Sequence, residues 1–297
     1  MCQLCELGIW AERVLKAEDD ELQSFLDDMK VVNVSYLLEQ IKTLEVAIDG
    51  LLVGQQSYHL SVLLDLMERG ELNDESILRT FGGDAFGVQL ANLVTTTNTA
   101  LLTELVPLLM PDKDLGVSQY SKRAVGFLDD WGPKLGNLMQ TTAHEAVSNA
   151  IQDVLASGQG VPALERKLLD LPEFTRARAR TTAITEMLRA YSVSEHEAYV
   201  QSPSVVGIEW VHTGRRKNKP RENHVALSGT VIDKVNGLFD VGGYAARFPR
   251  DPALPAKESV HCHCTTRPKV SEDIIQLSDL EKEVIRQNTL NEINETF

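Results

Sequence analysis

Cysteine is nearly absent from this chain. Among 297 residues there are four, Cys2, Cys5, Cys262 and Cys264, and all sit near the two extremes. Thiols so placed give no disulfide framework for a chain of this length. The first fifteen residues lack a basic start followed by an apolar core, so a secretory leader is not expected. The expected setting is reduced and cytosolic. A membrane-spanning run is missing too. The longest uncharged stretch, Ala85 to Thr103, is broken by Gln89, Asn92, Thr95, Thr96, Thr97, Asn98 and Thr99. Those polar groups would be costly in lipid, so a packed helix is expected there instead of a span. There is no internal repeat, and no Gly-x-Ser-x-Gly turn to flag a serine nucleophile. What remains is an ordinary soluble composition, 43% apolar and 24% charged, with length enough for two domains.

Positive charge is scarce at the front. The formal net charge is −14. Residues 1–174 carry 12 Lys and Arg against 27 Asp and Glu; residues 175–270 reverse this, with 15 against 9. The tail, 271–297, returns to 2 against 7. An acidic body with one basic segment excludes a general nucleic-acid coat and leaves one patch for an anionic partner.

The first 170 residues read as helical. From Tyr36 to Leu52, Leu37, Leu38, Ile41, Leu44, Ile48, Leu51 and Leu52 recur at steps of three and four, which lines one helix face. Gly50 and Gly54 are expected to weaken its end. Thr142 and Glu145 have capping-box spacing ahead of Ala146, Val147, Ala150, Ile151, Val154 and Leu155, predicting a helix over Thr142–Ala156. Gly158 suits its end, and Pro162 suits the first turn of a short helix closing near Asp170. A longer helix is predicted over Thr175–Val200, with Ile184, Met187, Leu188, Tyr191, Ala198 and Tyr199 on one face and Pro203 beyond it. After this the texture changes. Strands are predicted at Val205–His212, Thr230–Asp233 and Val260–Thr266, around a loop-rich Asn236–Lys257. Residues 271–297 read as an acidic amphipathic helix. The expected fold class is therefore α+β. A helical interaction domain covers 1–170, a small β-containing module 171–270, and a terminal helix 271–297.

The chemistry concentrates in "VHCHCTTRP", Val260–Pro268. On an extended strand Cys262 and Cys264 share one face, and His261 and His263 share the other. Four ligands to one tetrahedral metal are thereby excluded, unless the strand breaks. The simplest reading is that the two thiols pack as small apolar groups in a strand core. A metal reading takes both thiolates with His224 from "ENHVALSG", completed by His212 or Asp251. The cofactor is then either none or one structural zinc. The Cys2–Cys5 pair is a formal second thiol pair at the opposite end. The run "RRKNKPR" supplies Arg215, Arg216, Lys217, Lys219 and Arg221, either a solvated loop or a phosphate contact. No aromatics are interleaved with it, so single-strand base recognition is not expected.

Taken in order, these pieces resemble a known family. "ARARTTAITEMLRAYSVSEHEAY" is followed by a strand ending "IEWVHTG", then "RENHVALSGTVI", then a spacer with "RFPRDP", then "HCHCTTRP". This order is similar to the Mu F-like phage head morphogenesis proteins, also called minor head proteins. The helix motif falls on Arg180, Thr181 and Thr182, with Glu186 displaced. The middle motif falls on Arg221, His224, Leu227 and Gly229, and the last on Cys262 and Cys264. His261 and His263 stand where Asn and Arg are usual. A cysteine pair that some relatives carry upstream of the His motif is replaced here by "RKNKPREN". The resemblance covers about a third of the chain.

It implies a low-copy virion component, at the head interior or portal vertex, assembled in the host cytoplasm. The implied partners are the portal protein, capsid or scaffold proteins, and packaged double-stranded DNA, without a membrane span or catalytic turnover. The rival reading is an enzyme. His224, Asn236 and His261 occur in the order of a His-Asn-His metal nuclease or toxin, but the spacer Asn236–Lys257 does not suggest the compact hairpin and helix such sites need. A DNA-binding module unrelated to phage is the third.

Overall fold

The structure is a computed structural model that describes residues 19–296, except 114, 118 and 214–219. The Cys2–Cys5 pair and four of the five cations in the basic run lie outside the described residues. Helices dominate up to residue 201: α1 (19–28), α2 (Val34–Glu68), α3 (Asp74–Gly82), α4 (Phe86–Leu109), α5 (Lys122–Ala156), α6 (Val161–Leu169) and α7 (Arg176–Gln201). Five short strands follow, β1 (Val205–His212), β2 (Val231–Ile232), β3 (Phe239–Val241), β4 (Tyr244–Ala246) and β5 (Cys264–Val270). Small helices α8 (Glu222–Ala226) and α9 (Ala256–Ser259) lie between strands, and α10 (Glu272–Ile275) and α11 (Asp279–Thr296) close the chain. The α+β class with a terminal helix is as the sequence implies.

Two compact units share these elements. One takes the described residues up to Gln40, with Leu105–Val117 and Ser192–Leu290. The other takes Ile41–Glu104, Ser118–Tyr191 and residues from Asn291.

The second unit is wholly helical. Its core gathers Leu63, Ala143, Val147, Ala150, Ile151, Val154, Leu164, Leu168 and Phe174, each buried. The apolar stripe of α2 buries Ile41, Leu44, Ile48 and Leu52 as its period requires. However, the helix does not end at the glycines. It runs through Gly50 and Gly54, both exposed, to Glu68. Each glycine costs about 1 kcal/mol in a helix, less than one buried leucine contributes.

Similarly, α5 begins at Ser121, whose side chain accepts from Ala124 N, and not at Thr142. Thr142 sits mid-helix, its hydroxyl donating 2.8 Å to the Leu138 carbonyl. A threonine followed three residues later by glutamate is only a cap when the preceding turn is not already helical. Where α4 and α5 meet, a Cβ on Gly136 would lie 2.1 Å from the Gly87 carbonyl, so glycine permits the backbones to touch.

In the first unit β1 is central, flanked by β2 and β5 in the order β2-β1-β5, all antiparallel. Its register sets His212 opposite Cys264 and Trp210 opposite Thr266. The predicted strand Val260–Thr266 is displaced. Val260–His263 is turn and coil with His261 at φ +54°, and the strand starts only at Cys264. The spacer read as loop holds a hairpin, β3–β4, turned by Gly242 and Gly243 at φ +61° and +86°. Both residues at positive φ make the tight turn that matches strand twist. Helix α7 is not amphipathic. Every residue from Thr185 to Val205 is buried, polar ones included. Its buried polar groups are hydrogen-bonded: Glu186 accepts from Arg189 and from the Trp131 indole, and Glu195 from Thr265 and Thr266.

Candidate metal centre

Cys262, Cys264 and His224 converge. The His224 Nδ1 lies 3.5 Å from Cys262 Sγ and 3.6 Å from Cys264 Sγ, and all three side chains are buried. A fourth donor stands at the end of β1, where His212 Nδ1 is 3.5 Å from Cys264 Sγ. The backbone explains the convergence. The antiparallel register puts His212 directly opposite Cys264, and α8, capped by Arg221, presents His224 to the same point. Arg221 donates 2.7 Å to the Val260 carbonyl, which pins α8 to the turn before the cysteines. It is half-buried and committed to that bond, so it differs from the exposed cation the sequence suggested.

A carboxylate orients the histidine. His224 Nε2 is 2.9 Å from Glu258 Oε2, which Asn223 also contacts at 3.2 Å. With its Nε2 proton given to Glu258, the ring leaves Nδ1 bare and facing the sulfurs. This is the outer-shell arrangement that raises a metal-binding imidazole's basicity. Trp210 meets the His224 ring edge-on, with centroids 5.8 Å apart.

Arg250 closes the other side. It is fully buried, held at φ +65°, and donates to the Cys262 and Cys264 carbonyls at 2.8 and 3.0 Å and to Ser192 Oγ at 2.8 Å. Asp251, weighed as a ligand, is instead engaged by Arg247 at 2.9 Å and by the Ala253 amide. Nothing local in the sequence marks Arg250 or Glu258 as part of this site.

The electrostatics set two thiols competing for one proton. Hydrogen bonding from Cys264 holds the Cys262 thiol well below its ordinary range despite burial, with help from His224 and Arg250. Cys264 is pushed up by that same hydrogen bond, by burial and by the neighbouring thiolate. Burial opposes an imidazolium at His224, yet Cys262 and Glu258 outweigh it and raise that group. Burial lowers His212, favouring the neutral ring a metal requires. Two thiolates with two neutral imidazoles are a tetrahedral zinc donor set, so these residues fit that ion. Nearby, burial raises Glu195 to about 7 although Thr265, Arg250 and Thr266 pull the other way.

His261 is exposed, and His263 is half-buried with its ring 4.4 Å from that of Phe25. The two faces are therefore split as expected, although a left-handed turn at His261 replaces the first half of the strand. Arg215, Arg216, Lys217 and Lys219 lie outside the described residues.

Comparison with known proteins agrees with the motif order. The family described as Phage Mu protein F like protein matches residues 145–267, which contain the whole centre. An uncharacterized protein, YqbB, of Bacillus subtilis (strain 168) is 38% identical over 214 residues, covering 71% of this chain and 70% of that protein. No solved structure matches. The chain belongs to the Phage Mu protein F-like family. Among the described residues no helix is long and apolar enough to cross a membrane.

Proposed function

We propose that this protein is a low-copy structural component of the phage head, acting through contacts with the portal and capsid or scaffold proteins and without catalytic turnover. Family membership supplies the setting, and one observation supports the structural role. Three of the four donors are shut off from solvent, with Cys262, Cys264 and His224 each no more than 2% exposed, and the fourth, His212, is half-buried. A catalytic metal keeps a coordination position open to substrate, whereas a closed set of protein donors holds a fold together. On this reading one zinc joins Cys262 and Cys264 to His224, with His212 as fourth ligand, and ties the last strand to α8.

Both nitrogens of His224 are already engaged, one by the thiols and one by Glu258, so neither is free to activate water. This weighs against the His-Asn-His alternative, even though a hairpin does occupy the spacer. The run Arg215–Lys219 adds a phosphate contact with packaged DNA.

Co-expression with a portal protein from the same phage genome, followed by purification and a metal assay on the same sample, tests this function. The expected result is a stable complex containing a zinc that is lost in a Cys262→Ser, Cys264→Ser variant. Metal-dependent DNA cleavage abolished by His224→Ala would overturn the structural assignment.

A further inference from the structure

A second group of donors lies inside the helical unit. Gln55 and His59 are four residues apart on α2, hence on one face of it. Asp84 caps the start of α4, where its Oδ1 accepts from Phe86 N at 2.9 Å. His144 comes from α5. The second carboxylate oxygen, Asp84 Oδ2, is crowded: His144 Nε2 lies at 2.8 Å, Gln55 Nε2 at 2.6 Å and His59 Nε2 at 3.3 Å. Three donors cannot all align on one oxygen.

The consequence is a set of buried polar atoms without partners. His59 Nδ1 and Gln55 Oε1 make no hydrogen bond, His59 Nε2 has only its 3.3 Å approach to the crowded Asp84 oxygen, and His59 is 1% exposed. Each such atom costs about 1–3 kcal/mol, and native structures carry few of them. Aromatic rings close off any escape. Phe81 stacks on His144 at 4.1 Å and meets His59 edge-on at 5.7 Å, and Tyr58 flanks His59 at 5.5 Å.

We propose that His59, His144 and Asp84, joined by the Gln55 amide oxygen, bind a divalent first-row transition-metal ion that ties α2, α4 and α5 together. One ring nitrogen from each histidine and a carboxylate oxygen lie within 4.8 Å of one another. A tetrahedral ion with ligands at about 2.0–2.1 Å spaces its donors about 3.3 Å apart. The His59 contact is at that spacing, and the His144 contact needs to open by about half an ångström. Turning the Gln55 amide over exchanges its oxygen and nitrogen without moving the chain. That turns Oε1 towards the ion as a fourth donor in place of the Nε2 that stands 2.6 Å from Asp84 Oδ2, and the two oxygens then separate by about 0.7 Å to share it. Each histidine binds through Nε2 with its proton on Nδ1. Access exists at one point: His144 lines a surface cleft with Phe81 and Glu145, and its side chain is 18% exposed. Imidazole and carboxylate without sulfur suit zinc, cobalt or nickel. The site shares no residue with the Cys/His centre and stands whether or not that centre holds zinc.

Cobalt(II) titration of the purified, chelator-treated full chain separates the two. Binding at thiolates gives intense sulfur-to-cobalt charge-transfer absorption, and binding at imidazole and carboxylate gives weak visible bands only. In the Cys262→Ser, Cys264→Ser variant one equivalent of cobalt should still bind, with the weak bands alone. Adding His144→Gln to that variant, or using His144→Gln in the native chain should the double serine variant not fold, should remove one equivalent. With zinc at a hundredfold excess over its Kd, the native chain should melt about 5 °C higher or more, and His144→Gln should lose that part of the rise not due to thiolates. Equal cobalt stoichiometry and equal zinc-induced melting shifts in native and His144→Gln chains, both folded by circular dichroism, would sink the proposal.

Discussion

The two donor clusters in this protein are built on opposite principles. In the β-containing unit the ligands of the Cys/His centre are held from outside: Glu258 takes the far side of His224, Arg250 takes both cysteine carbonyls, and Arg221 takes the carbonyl before them. In the helical unit Asp84 is over-subscribed while His59 and Gln55 go wanting. A satisfied network defines its own geometry, and an ion placed there adds to a shape already specified. An unsatisfied one takes its geometry from whatever arrives. The first should therefore resist loss of metal better than loss of its framework, and the second should do the reverse.

The sharpest break of that comparison is Arg250→Ala. It strips two carbonyls and a hydroxyl of their donor in a buried site, and should cost about 3–5 kcal/mol in denaturant unfolding. A cost near 1 kcal/mol would mean the framework does not define the centre. Next in size is Cys262→Ala. Loss of a zinc ligand should cost a few kcal/mol and abolish chelator sensitivity, whereas loss of packing alone costs about 1 kcal/mol with no chelator effect. Smaller again is Asp84→Asn without added metal, at about 1–2 kcal/mol, since the amide keeps one oxygen that can still accept from His144 or Gln55. An equal loss for Asp84→Asn and Arg250→Ala in metal-free protein would erase the distinction.

Titration sharpens the picture. Glu195 has its pKa raised to about 7 from an ordinary 4.5, so the folded state holds this proton more tightly than the unfolded chain. Its contribution is fully present below pH 4.5 and is lost as pH rises through 7. Glu195→Gln should therefore flatten the decline in stability between those pH values and leave the variant about 1–3 kcal/mol the more stable at pH 8. A parallel decline in both proteins would assign that pH dependence elsewhere. The smallest effect on stability belongs to the basic run. Replacing Arg215, Arg216, Lys217 and Lys219 with Gln should leave unfolding unchanged and flatten a log–log salt slope of about −3 to −4 on duplex DNA. No change in that slope would make the run a solvated loop.

Much of this architecture is legible in the chain because its signals are local. The apolar run of β1 marks both its ends, Gly158 marks the end of α5, and Pro162 marks the first turn of α6. The Cys262–Cys264 pair and His224 declared themselves through residue type and motif order. Other features were hidden for physical reasons. Strands of three residues, as in β3 and β4, are too short to show a period. The burial of the polar residues along α7 leaves no local signal because their partners, Trp131 and Thr265 among them, are distant in sequence. His59, Asp84 and His144 are 25 and 60 residues apart, and no spacing rule joins a mid-helix histidine to a helix cap.

The pairing of His212 with Cys264 also sets a clock. At about 5–20 residues per second the ribosome needs about 3–10 s to make the chain between them. Throughout that interval one whole edge of β1 has no neighbour, and β2 covers only two residues of the other. An unpaired edge is a template for other chains, and the nascent thiols arrive only at its end. Production of this protein should thus depend on how quickly its last third is translated.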